Sequence, residues 1–283
     1  MIRLGVVSYL NSRPLIEGLD GRADVELTFD VPALQAGLLL RGAVDAALLP
    51  IVDVLRHHER LCVVSNACIA CDGETMTVRV FSQVPPDRVT RIHVDGHSHT
   101  SVALASILWR ELYGRDVILQ PFQYESQAPD EFEAVLLIGD KVIDPRRGSF
   151  AYEVDLGGAW RAQFGLPFVF AIWAGRSSEL SGASSELKRG SSAPSERNSL
   201  LATLNSLLTS ARDRGVVRAA AIAREQGPGL GWPVELAERY LTRCLKFRLD
   251  PRFVEGANLF ARACAARGLV PPDCRIEWPE SCL

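Results

Sequence analysis

The sequence predicts an α/β protein of two lobes, the second inserted into the first and joined to it by two crossing segments. Three observations lead there. The chain has 283 residues, longer than the ~100–200 typical of one domain. Short β-branched runs alternate with helical patterns, the signature of parallel sheets with crossover helices. Two extended apolar segments, near residues 78–85 and 167–174, bracket an αβ series complete in itself. The predicted lobes are therefore residues 1–85 with 174–283, and residues 86–173. Two α/β lobes joined by two strands put a ligand cleft between them.

Each element has a local reason. Ile2 to Val7 is a strand of buried type. A polar break, Tyr9 to Arg13, precedes Pro14, which suits the first turn of a helix. Val25 to Phe29 is a second strand, and Asp30-Val31-Pro32 starts a helix with Leu34, Leu38 and Leu39 on one face. Gly42 ends it, and Val44 to Leu49 enters the sheet before Pro50. Thr77 to Ser82 is extended and exits through Pro85-Pro86. The inserted series holds strands at 91–94, 117–119 and 134–138 and a helix over 101–113, and Pro167 to Trp173 is the return. Residues 176–198, rich in Ser, Gly and Glu without apolar period, read as a mobile, solvent-exposed loop. Helices over 200–211, 233–247 and 252–267 should pack back on the first lobe without further strands.

Composition excludes several classes. Lys and Arg number 31 against 34 Asp and Glu, a net charge of −3, so the basic surplus of a nucleic-acid binder is missing. Hydrophobic residues at 47% and charged residues at 23% exclude wholesale disorder. The run Leu4 to Val7 is too short for a signal-peptide core, and no stretch reaches the ~20 apolar residues of a membrane span. A soluble, cytoplasmic protein is expected. Seven cysteines, an odd number, argue for thiols rather than a disulfide framework. Cys68 and Cys71 have a zinc-like spacing, but no second pair follows and their neighbours are apolar, so buried thiols are expected. A P-loop, a G-x-G-x-x-G after a strand and a G-x-S-x-G elbow are all missing, so nucleotide cofactors and a serine nucleophile have no support.

Open α/β sheets bind ligands at the carboxyl ends of strands, beside helix N-termini. Three places qualify. After the first strand, Asn11 offers a neutral donor and acceptor and Ser12 a hydroxyl, either for a ligand or as a helix cap. In Asp95-Gly96-His97-Ser98-His99-Thr100-Ser101, three hydroxyls crowd the start of an apolar helix, a cradle for a carboxylate or phosphate, or else a plain N-cap. His97 and His99 sit apart in a turn with no reinforcing ligand, so no metal is expected. In Leu136 to Lys141, Gly139 lets a ligand approach the backbone, and Asp140 can cap or bind.

These segments carry a resemblance. Ser8-Tyr9-Leu10-Asn11 with Pro14-Leu15, Val44-Asp45 through Leu49-Pro50, Phe81-Ser82 and Ser98-x-Thr100-Ser101 occur in that order. Leu136-Leu137-Ile138-Gly139-Asp140, Asp155-Leu156-Gly157 with Trp160, and Gly165 to Ala171 follow. Together, over about residues 2–174, they resemble the chorismate dehydratase family of the futalosine route to menaquinone. A sister family, 1,4-dihydroxy-6-naphthoate synthase, carries adjacent Asn and Asp in its N-terminal motif; the Tyr-Leu-Asn form here points to the dehydratase.

The resemblance implies a type 2 periplasmic-binding-protein-like fold used as a cofactor-free enzyme, with a small dicarboxylate as its partner. The family reaction converts chorismate to 3-[(1-carboxyvinyl)oxy]benzoate. By matching positions, Ser98, Thr100 and Ser101 would hold a substrate carboxylate, Ser82 would line the cleft and Asn11 would orient the reacting groups. The family commonly has Arg between the Ser and Thr of that turn; His99 stands there instead, and Arg13 is a cation that could compensate.

Chorismate loses the C3 hydrogen and the C4 hydroxyl, and its ring becomes aromatic. The C3 proton is vinylogous to the ring carboxylate. Such a reaction needs anion sockets, a positioned base and hydrogen bonding to the leaving hydroxyl. An Asn amide does not titrate, and no Glu or His in the matching motifs is a base. The substrate's own enolpyruvyl carboxylate is therefore expected to take the proton. The competing readings are a non-enzymatic small-anion binding protein of the same fold, the naphthoate synthase, and a regulator's effector domain. The last is disfavoured because no helix-turn-helix precedes the first strand.

Overall fold

The computed structural model describes residues 1–180 and 194–282. Strand β1 (Ile2–Val7) pairs in parallel with β2 (Val25–Asp30) on one side and β3 (Ala46–Pro50) on the other. A 3₁₀ turn, Leu10–Ile16, links β1 to β2, and helix α1 (Pro32–Leu40) links β2 to β3. Helix α2 (Ile51–Arg56) and the long strand β4 (Leu61–Cys71) follow. The chain then builds a second sheet from β5 (Val78–Ser82), β6 (Arg91–Val94), helix α3 (His99–Tyr113), β7 (Ile118–Pro121), β8 (Ala134–Ile138), β9 (Tyr152–Asp155) and helix α4 (Leu156–Phe164). It returns as β10 (Phe168–Arg176), which inserts between β3 and β4, antiparallel to both. Helices α5 (Ser177–Leu180), α6 (Pro194–Val217), α7 (Ala219–Gln226) and α8 (Val234–Arg239) precede β11 (Leu245–Arg248) and α9 (Pro251–Ala266).

The first sheet has six strands in the order β11-β4-β10-β3-β1-β2, and the second has five in the order β7-β6-β8-β5-β9. This is the expected two-lobed α/β arrangement, with the changes of sheet moved. β5 pairs with β8 and β9 in the second sheet, and β10 pairs within the first. The crossings therefore run through 72–77 and 165–167, and we place the lobe boundaries there rather than at 85 and 173. An apolar extended segment announces a strand without saying which sheet it joins.

Other elements shift for similar reasons. The turn after β1 begins at Leu10 and holds Pro14 inside it. On α1 the buried stripe is Gln35, Ala36, Leu38 and Leu39, while Leu34 is 54% exposed. The segment 233–247 is not one helix. α8 stops at Arg239, a π turn covers Tyr240–Cys244, and β11 alternates buried and exposed residues against β4. The expected loop at 176–198 is helical at both described ends, and its middle, 181–193, lies outside the described residues. Among the described residues, no helix is long and apolar enough to cross a membrane.

Packing fixes the crossings. Trp160 of α4, Phe168 of β10 and Phe260 of α9 meet edge to face at centroid distances of 5.0, 5.0 and 6.0 Å, and such pairs each contribute ~0.5–1.5 kcal/mol beyond area burial. Asp155 caps α4 by accepting from Gly158 N at 2.9 Å, and it also accepts from Thr75 N at 2.9 Å and Met76 N at 2.7 Å. One carboxylate thus pins the outgoing crossing to the start of the return. On the other side, α6 crosses the 3₁₀ turn so closely that a Cβ on Gly215 would collide with the Pro14 carbonyl.

Candidate active site

The carboxyl ends of β1 and β8, the first turn of α3, the outgoing crossing and the C-terminal segment converge on one cavity. Asn11, Ser98, Ser101 and Gly139 all line it. Ile69, Ile138, Phe170 and Leu245 make its apolar wall, and Tyr9, Thr75, Thr77 and Tyr240 bring further hydroxyls. Among the described lining residues none carries a carboxylate, imidazole, ammonium or guanidinium. The cavity encloses about 50 Å³, well below the ~300–1,000 Å³ of small-molecule pockets. The cavity of this structure is therefore smaller than a ring-sized ligand.

The turn after β1 aims Asn11 inward. The Ser12 hydroxyl bonds the carbonyls of Val7 at 2.6 Å and Tyr9 at 2.9 Å, so it knots the turn rather than facing a ligand. Asn11 Oδ1 is buried without a hydrogen-bond partner. A buried, unsatisfied amide oxygen costs ~1–3 kcal/mol, and here it lies beside the cavity, where a ligand donor would satisfy it.

The first turn of α3 supplies donors. Ser98 is its N-cap: Oγ accepts from Ser101 N at 3.2 Å and donates to Ser101 Oγ at 2.8 Å. The Ser101 proton is thereby left for the cavity, next to first-turn amides that have no intrahelical acceptor. Together they make a neutral socket for an anion.

The neighbours in that turn have other work. Thr100 Oγ1 donates to the Phe170 carbonyl at 3.3 Å and accepts from Val52 N at 3.4 Å, tying α3 to β10 and α2. His99 Nδ1 lies 2.9 Å from both oxygens of the buried Asp53. Neither residue lines the cavity. Helical geometry explains the split, since residues 98 and 101 share a face and 99 and 100 do not.

Three further expected residues also fall outside the lining. Ser82 is buried and donates to the Val84 carbonyl at 2.8 Å. It stands four residues, ~13 Å of strand, beyond Val78, which does line the cavity. The Arg13 guanidinium lies 4.7 Å over the Phe29 ring, and burial lowers its pKa, partly offset by Asp140 and Asp20. Asp140 accepts from Trp232 Nε1 at 2.8 Å and Leu10 N at 3.4 Å. Burial raises its carboxyl against those two bonds and Arg13, which favour the anion.

Gly139 has φ +58°, and a Cβ there would sit 2.8 Å from Tyr9 Cγ and Cδ2. The Tyr9 ring is thus seated on bare backbone. Its hydroxyl lies 3.3 Å from His97 Nδ1, which Lys141 Nζ also approaches at 3.0 Å. An ammonium can only donate, so that nitrogen accepts and the imidazole is neutral. Burial lowers the His97 pKa, with Lys141 adding to that and Asp95 opposing it. Lys141 is held by Asp95 at 2.7 Å.

The sequence reading missed Tyr9, Thr75, Thr77 and Tyr240. Tyr9 stood inside the quoted motif, whereas Tyr240 had no signal but its later position in space. Cys68 and Cys71 are buried in β4 as expected, and burial pushes both thiols up, away from reactivity.

Comparisons with known proteins agree with this architecture. A solved protein of Archaeoglobus fulgidus, AF1704, superposes with a TM-score of 0.67 at 15% identity, covering 95% of this chain and 98% of that one. The Candida albicans CA3427 gene product, described as having the generic periplasmic binding protein fold, superposes with a TM-score of 0.61 at 14% identity over 99% and 92% of the two chains. In sequence, a chorismate dehydratase of Thermus thermophilus is 28% identical over 194 residues, 61% of this chain and 69% of that protein. The model of the menaquinone biosynthesis family matches residues 2–266, and the chain belongs to that family.

Proposed function

We propose that this chain dehydrates chorismate to 3-[(1-carboxyvinyl)oxy]benzoate, as a carbon–oxygen lyase. The observation that carries the reading is a single cavity that joins Asn11 to the Ser98–Ser101 turn and, among the described residues, has no ionisable base in its lining other than phenols. Burial pushes the Tyr9 and Tyr240 phenols far up, so both remain protonated and neither is a base. The T. thermophilus relative supports the same substrate.

In this reading Ser98, Ser101 and the first-turn amides of α3 bind one substrate carboxylate. Asn11 holds the reacting groups in line. The enolpyruvyl carboxylate takes the C3 proton, and the electron pair of that C–H bond delocalises through the diene into the ring carboxylate. The C4–O bond then breaks, the electron pair completes the arene, and the abstracted proton leaves with the hydroxyl as water. The neutral wall suits this chemistry: buried dipoles stabilise moving charge without a cation that would fix it in one place. Positioning supplies much of the rate, because the base arrives as part of the substrate.

The test is to mix purified protein with chorismate and follow an aromatic product by absorbance and mass. Product smaller than chorismate by one water, formed without added cofactor, is expected. Tight binding without product would favour an anion-binding protein instead, because this architecture serves both.

A further inference from the structure

The catalytic reading assigns nothing to the C-terminal segment, yet that segment closes the cavity around Asn11. Tyr240 is 1% exposed and lines the cavity. Thr77 Oγ1 donates to its hydroxyl at 2.6 Å. Asn11 lines the same cavity, and its amide stands close enough to that hydroxyl to favour the ionised phenol as a donor does. Asn11 Oδ1 has no partner, and Nδ2 is the only donor of the amide, so Nδ2 is the end suited to Tyr240. The Tyr240 ring stacks on Trp232 at 4.9 Å and 8°. Trp232 Nε1 in turn donates to Asp140 Oδ1, the oxygen that also receives Leu10 N. One carboxylate from the second lobe therefore holds both the backbone beside Asn11 and the aromatic pair against its side chain.

Resting on the dehydratase reading, we propose that Tyr240 is a positioning residue: braced by Thr77 and, through Trp232, by Asp140, it holds the Asn11 amide by Nδ2 so that Oδ1 faces the substrate. An amide free to rotate would present donor and acceptor in turn. Anchoring one end selects the acceptor, which suits a substrate hydroxyl. It also gives Asp140 a role distinct from ligand contact, and it makes the aligned amide depend on the lobes being together.

The experiment is a double-mutant cycle on kcat with chorismate as the probe. Tyr240→Phe keeps the ring on Trp232 and removes only the hydroxyl. It should lower kcat about 30-fold with KM within about 3-fold and melting temperature near wild type. Combined with Asn11→Ala it should cost little more than Asn11→Ala alone, because both changes remove one device. Thr77→Val, which strips the brace without touching the ring, should give a smaller loss of the same kind and stands in if Tyr240→Phe is poorly folded. Wild-type kcat in folded Tyr240→Phe, or losses that multiply in the double variant, would overturn the positioning role alone. Wild-type protein that makes no product would overturn the dehydratase reading and this role with it.

Discussion

The imidazole Nδ1 of His99 lies 2.9 Å from each carboxylate oxygen of Asp53, so the first turn of α3 in the second lobe is tied to α2 in the first. Asp53 is buried, and Arg56 approaches it at 3.3 Å. His99 thus clasps the lobes. His99→Ala should weaken closure, raising KM for chorismate ~3–10-fold while kcat stays within ~2-fold, the range of a partly exposed polar contact. A fall in kcat with KM unchanged would contradict this.

Gly139 is under two constraints at once, a positive φ and the Tyr9 ring on its open side. Gly139→Ala should lower stability by ~1–2 kcal/mol from the left-handed backbone alone, and it should push Tyr9 away from His97. Thermal melts read the first effect, and a drop in kcat/KM reads the second.

His97 gives the site a pH dependence with a definite sign. Its folded pKa lies below the ordinary value, chiefly through burial, whereas the unfolded chain titrates near ~6.5. Between those values the unfolded state binds the extra proton. The stability of the neutral arrangement is therefore fully present above about 6.5 and declines as pH falls through that window. Protonation also removes the acceptor shared by Tyr9 and Lys141. Melting temperature should fall on acidification from pH ~7 to ~5, and His97→Gln should flatten that slope.

Asn11→Ala should cut turnover by ~10²-fold or more while leaving chorismate affinity within a few fold, as for a group that acts mainly in the transition state. Binding by calorimetry beside steady-state rates separates the two.

Much of this was legible in the chain. β3 and β8 are uninterrupted apolar runs and β1 is apolar from Leu4 to Val7, and the turns that follow β1 and β8 carry Asn11 and Gly139. The Ser98–Ser101 turn was visible because a cap and a cradle use the same residues. Its inner division was not, since only helix phase separates Ser98 and Ser101 from His99 and Thr100. β11 escaped notice because four residues alternating against β4 resemble a helix end. Ser82 lies outside the cavity lining because a strand's type is local, whereas which end meets the cavity depends on the sheet it joins. Tyr240 and Trp232 reach the site only through tertiary packing, which no short window of sequence records.

The central claim is that a neutral cavity performs the elimination with the substrate's own carboxylate as base. The most direct measurement compares chorismate with an analogue whose enolpyruvyl carboxylate is a carboxamide. The analogue should bind and yield no arene; turnover of the analogue at the rate of chorismate would contradict the account.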